Sequence, residues 1–121
     1  MSRDPTKLRV FQLADDLVPE VYSRTRCFPS EERYGLQSQI RRAGISVPTN
    51  LVEGCARRTT KDYLRFVEIS LGSASEARYL LKLAHRLGFL GQADLDELAP
   101  RYGEVIRSLQ GLLNTLTKPE A

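Results

Sequence analysis

One apolar stripe limits what this chain can fold into more than any other feature does. Leu36, Ile40, Ala43, Val47, Leu51 and Gly54 follow one another at steps of 4, 3, 4, 4 and 3 residues, the repeat of one helix face and of nothing in a sheet. A helix with such a stripe persists in water only when the stripe is covered, so further helices of the same kind are needed. The rest of the chain supplies them. Apolar residues return at close to helical spacing in four successive segments, and no stretch of five or more residues alternates as a strand does. The spacing predicts helices over about 6–25, 31–57, 61–87 and 92–117.

Local signals set the expected ends. Pro29 stops continuation and Ser30 stands as an N-cap before Glu31-Glu32-Arg33, an acidic pair suited to the positive end of a helix. Thr59 with Asp62 has the capping-box pattern, Thr60 being a close second, and Gly88 suits the left-handed residue that ends a helix. Leu8, Phe11, Leu17, Val18 and Val21 form the inward set of the first helix, and Leu95, Leu98, Tyr102, Val105, Ile106, Leu109, Leu112, Leu113 and Leu116 that of the fourth. Pro19 and Pro48 fall inside helices, where a proline removes a hydrogen bond and favours a bend. Pro100 either kinks the fourth helix or divides it. Short loops favour antiparallel neighbours, and 121 residues suit one domain over 1–121: an all-α, up-down four-helix bundle.

Composition excludes several function classes. No window approaches the roughly 18 apolar residues of a membrane span. The opening MSRDPTKLRV lacks the apolar core of a secretory signal, so a cytoplasmic address with no membrane partner is expected. Cys27 and Cys55 lie far apart beside a single histidine, which argues for two reduced thiols and against a metal site. Phosphate-loop, dinucleotide, zinc-protease and nucleophile-elbow motifs are all missing. His85 stands near a helix C-terminus, where it suits the dipole, and Cys55 beside Gly54 reads as a small core residue. A non-enzyme without cofactor is the expectation.

Charge points toward a partner. Between Arg24 and Arg65 nine positive residues face four negative ones, and fourteen of the chain's eighteen basic residues are Arg, whose planar fork suits phosphates and interface carboxylates alike. Arg33, Arg41, Arg42, Arg57 and Arg58 are the candidate nucleic-acid contacts, by backbone electrostatics and without base reading. The alternative partner is a protein, with these arginines used in subunit contacts.

Two helices carry more than a core requires. The third is apolar around most of its circumference and contains the small run Gly72-Ser73-Ala74-Ser75. It is either the central helix of a monomer or a helix with a second buried face in an oligomer, with Tyr63, Phe66, Gly72 and Ser73 as interface candidates. The second helix carries a polar stripe beside its apolar one: Gln39, Arg42, Ser46, Asn50, Glu53 and Arg57. Glu53 is placed to pair with Arg57 or Arg58, and Glu76 of the third helix could join them. A solvated face, a polar network at an internal or subunit interface, and a ligand site all fit this pattern.

The run from Phe28 through Gly54, FPSEERYGLQSQIRRAGISVPTNLVEG, closely resembles the signature of a family first associated with intervening sequences in bacterial 23S ribosomal RNA genes. Gly72-Ser73-Ala74-Ser75-Glu76 and Leu87-Gly88-Phe89-Leu90 fit the same pattern, and the resemblance covers essentially the whole chain. Val52 and Cys55 replace the family's usual Ala and Gly. The resemblance implies a cytosolic homopentamer of four-helix bundles around a central channel. It extends to the accessory variability proteins of diversity-generating retroelements, basic pentamers that bind nucleic acid and a reverse transcriptase. With that implication, the polar stripe and Glu76 read as a shared structural network or a channel-facing surface.

Overall fold

The computed structural model describes residues 3–117, so the outermost positions of the expected 1–121 unit lie outside the described residues. Its helices are α1 (Arg9–Arg24), α2 (Leu36–Cys55), α3 (Thr60–Arg86) and α4 (Gln92–Thr117), with 3-10 turns at Pro5–Lys7 and Ser30–Glu32 and no strand among the described residues. α1 and α3 each pack along both α2 and α4, and across neither diagonal do the backbones come close. That is the ring of neighbours a four-helix bundle requires. Arg9 reaches Glu104 whereas Arg24 reaches Asp94, and Ser46 reaches Ser73 whereas Ser70 reaches Val47. Both pairs of helices are therefore antiparallel.

Two expected starts move, each for a local reason. Thr6 opens no helix: Asp4 accepts from its amide at 3.0 Å and its hydroxyl at 2.6 Å, closing a separate turn ahead of α1. Ser30 does not cap α2 either. Ser30–Glu32 is its own turn, and the Glu32 carboxylate, folded back past Gly35, accepts from the Leu36 amide at 3.0 Å. Glu32 alone of the acidic pair thus serves a helix N-terminus, and α2 starts five residues later than the sequence suggests. Thr59 does cap α3, accepting from the Asp62 amide at 3.1 Å, and Gly88 follows α3 at φ +82°. Pro19, Pro48 and Pro100 all lie within unbroken helices, so Pro100 does not divide α4.

The α2 stripe is buried at every position, and one cluster joins it to Leu17, Val21, Tyr63, Val67, Leu81, Leu98, Tyr102, Val105 and Leu109. α1 contributes Val10, Ala14, Leu17 and Val21. Val18 is only half-buried, because the face turns through Val10 and Ala14 instead. Gly54 brings α2 against α3, since a Cβ there would stand 2.9 Å from the Cβ of Phe66. Around Pro48, side-chain donors gather on backbone carbonyls. Thr49 Oγ1 serves Ile45, Asn50 Nδ2 serves Ser46 and the buried Ser70 Oγ serves Val47, each at 2.8 Å.

Candidate functional site

The polar stripe of α2 lies against α3 along an open groove of about 680 Å³. Gln39, Arg42, Ser46, Asn50 and Glu53 line it from α2, and Ser73 and Glu76 line it from α3. Asn50 Nδ2 donates to Ser46 Oγ at 2.9 Å, and that oxygen lies 2.7 Å from Ser73 Oγ. A three-residue network therefore stitches the floor of the groove, anchored next to the proline that disturbs α2. Arg42, Glu53 and Glu76 stand exposed above it, and no ion pair holds any of them among the described residues. With one guanidinium and two carboxylates, the groove is weakly acidic rather than a phosphate cradle.

Arg57 lies apart from that lining. α2 ends at Cys55, so the helical geometry that would bring Arg57 onto Glu53 stops short. The Arg57 guanidinium instead stacks over Phe66 at 4.6 Å from the ring centre. The expected Glu53 pairs with Arg57 and Arg58 are not formed among the described residues.

The candidate nucleic-acid arginines do not converge on one surface. Arg41 is occupied internally: Nε donates to Thr25 Oγ1 at 3.0 Å, a terminal nitrogen donates to the Tyr22 carbonyl at 3.2 Å, and the group stacks 4.4 Å over the Tyr22 ring. Arg42, its neighbour in sequence, faces the α3 groove instead. Arg33 is exposed just before α2, and Arg57 and Arg58 are exposed just after it, so the length of α2, about 30 Å, separates them. Sequence reasoning named Arg57 and Arg58 but did not group them with Lys61 and Arg65. Arg57, Arg58, Lys61 and Arg65 crowd the α2–α3 turn, all exposed and without an ion pair among the described residues. The close spacing of four basic residues around Thr59-Thr60 was the available signal.

The interface candidates divide as well. Tyr63 is buried in the core at 1% exposure beneath the Arg3 guanidinium, 4.1 Å from its ring centre, and presents nothing to a second copy. Phe66 is half-covered by Arg57 and Ser73 belongs to the groove floor, while Gly72 is open to solvent with nothing above it. Among the apolar side chains that do face outward are Ile45 and Val52 on α2 and Ile69 on α3, at 39%, 46% and 45% exposure. Burial pushes the Cys55 thiol and the Tyr63 phenol above their ordinary values, which keeps both neutral and unreactive near neutral pH. His85 Nδ1 faces the Leu90 carbonyl at 2.9 Å and so closes the α3–α4 turn. No helix among the described residues is long and apolar enough to cross a membrane.

Comparison with solved structures returns the same architecture in a protein of unknown function from the S23 ribosomal protein family of Bacteroides thetaiotaomicron VPI-5482. The TM-score is 0.80 at 18% identity, over 86% of this chain and 97% of that one. At that identity the likeness speaks for the fold alone. No curated protein matches the chain. The family model for 23S rRNA-intervening sequence protein matches residues 6–111, nearly the full length of the bundle that the α2 stripe organises, and the chain belongs to that family.

Proposed function

We propose that the protein is a non-enzymatic binding protein that assembles from identical copies, as a homopentamer, and holds RNA or DNA by its phosphates through the α2–α3 turn. The observation that carries this reading is the division of charge. Arg9, Arg24 and Arg101, on the α1–α4 side, all meet carboxylates, whereas Arg57, Arg58, Lys61 and Arg65 meet none among the described residues. Unpaired cations crowded into nine residues repel one another, and a polyanion relieves that repulsion. Repetition around a ring multiplies the effect without any base reading. Arg33, at the far end of α2, and Arg42, in the α2–α3 groove, lie away from this turn and are not part of the contact. Arg41, held by Thr25 and Tyr22, supports the fold.

The test is fluorescence anisotropy of a short RNA and a short DNA duplex across a salt series, with the mass followed by light scattering. Arg58→Glu with Lys61→Glu, both exposed, should abolish binding and leave helicity intact. Retained binding in that folded variant overturns the phosphate reading. A salt-independent affinity, or an assembly blind to both nucleic acids, favours a protein partner. Arg57 stacked on Phe66 is the observation on that side, since such a pair also suits a subunit contact.

A further inference from the structure

A second cationic cluster lies about 20 Å along α3 from Arg65, and it is built differently. Arg78 and Lys82 sit one turn apart on α3, and Arg107 sits one turn beyond Gly103 on α4. All of them line a cleft of about 410 Å³ between the two helices. A Cβ on the buried Gly103 would stand 3.4 Å from a terminal nitrogen of Arg107 and 3.7 Å from one of Arg78, so those nitrogens lie within about 7 Å of each other. Like charges that close raise each other's energy unless an anion intervenes. None does, since no ion pair reaches Arg78, Lys82 or Arg107 among the described residues. Asp96 shares the cleft, but its carboxylate accepts from the side-chain Nε2 of Gln92 at 2.8 Å, and three cations to one carboxylate leave the lining positive.

The remaining wall is apolar: Leu95, Ala99 and Pro100 of α4. A cationic end with converging guanidiniums beside a small apolar wall matches a phosphorylated organic molecule. We infer that the α3–α4 cleft binds a small organic diphosphate, its phosphates held by Arg78, Lys82 and Arg107 and its ring laid against Leu95, Ala99 and Pro100. Phosphate oxygens take the bidentate forks of the two arginines, and Lys82 adds a point charge at the rim. Gly103 leaves the floor open for the oxygens to approach. The inference is independent of the nucleic-acid reading, which uses other residues at another level of the molecule.

Calorimetric titration of the whole assembled protein with inorganic pyrophosphate, ADP and a hydroxyl-ended RNA 12-mer tests it. ADP should bind, pyrophosphate more weakly because it leaves the apolar wall empty, and Arg78→Gln with Arg107→Gln should weaken ADP at least about tenfold. Lys82→Gln, on the exposed rim, should give a smaller loss and keeps the test alive if the double variant misfolds. Arg57→Gln with Arg58→Gln should leave ADP affinity unchanged. Absence of ADP binding at millimolar concentration overturns the inference. An equal loss in the Arg57 and Arg58 variant overturns it too, because bulk charge would then be the cause. Displacement of ADP by the RNA would replace the small molecule by a nucleic-acid chain and so also overturn it.

Discussion

Tyr102 is placed where its hydroxyl does no work for the fold. The side chain is fully buried, its oxygen has no hydrogen-bond partner among the described residues, and burial raises the phenol well above its ordinary value. Its neighbour is Gly44, where a Cβ would stand 3.1 Å from that oxygen. Pro48 has already deprived the Gly44 carbonyl of its helical donor. An unsatisfied buried hydroxyl costs about 1–3 kcal/mol, so Tyr102→Phe should leave stability unchanged or raise it by about 1 kcal/mol in urea denaturation. A loss larger than about 1 kcal/mol would mean that the hydroxyl has a partner, such as an enclosed water. The family signature becomes physical at this scale: Gly44 admits a tyrosine, and Gly54 admits the backbone of α3. Periodicity marks both as stripe or near-stripe positions, but what a missing Cβ makes room for lies on another helix and is not written in the local sequence.

Between elements, one arginine braces the bundle. Arg24 at the C-terminus of α1 reaches Glu20 on its own helix at 3.1 Å, and Asp94 and Glu97 of α4 at 2.7 and 2.8 Å. The hydrogen bond from Arg24 holds the Glu97 carboxyl below its ordinary 4.5. A carboxyl depressed on folding adds stability that is present above its unfolded value and lost as pH falls through the folded one. The melting temperature should therefore fall as pH drops below about 4.5, and Arg24→Gln should start lower at neutral pH and converge on the wild type in acid. Melting curves of the two proteins that stay parallel from about pH 7 down to about pH 3, through the range in which glutamates titrate, would show that the brace does not couple to the fold. The helices themselves were legible, because burial enforces a 3.6-residue repeat: every residue of the α2 stripe is buried and α4 has its expected bounds. The braces were not. Arg24 and Glu97 are distant in sequence, and Arg41 bonds to Thr25 rather than to anything on α2. Even Glu53 with Arg57, adjacent by helical arithmetic, fails because the helix ends before the arithmetic applies.

At the scale of the whole molecule, the outer face of α2 and α3 decides whether one copy suffices. Ile45 and Val52 occupy one side of α2, seven residues apart, and Ile69 stands on the adjacent helix, each more than a third exposed beside the polar groove. Scattered exposed apolar residues need no explanation, but these three share a face with Gly72, above which there is open space for a partner's side chain. The groove complements them. Arg42, Glu53 and Glu76 carry both signs and no intrachain ion pair among the described residues, the arrangement from which reciprocal pairs across identical subunits are made. If this face joins the copies of the proposed homopentamer, Val52→Glu with Ile69→Glu places new carboxylates in it at two exposed positions. Light scattering should then give a mass near one 13.7 kDa chain with helicity retained, and the monomer should bind RNA more weakly at a given salt because the α2–α3 turns no longer act together. An unchanged mass in the double variant would move the interface to another side of the bundle. A monomer that binds RNA as tightly as the assembly would separate the charged turn from oligomerisation altogether.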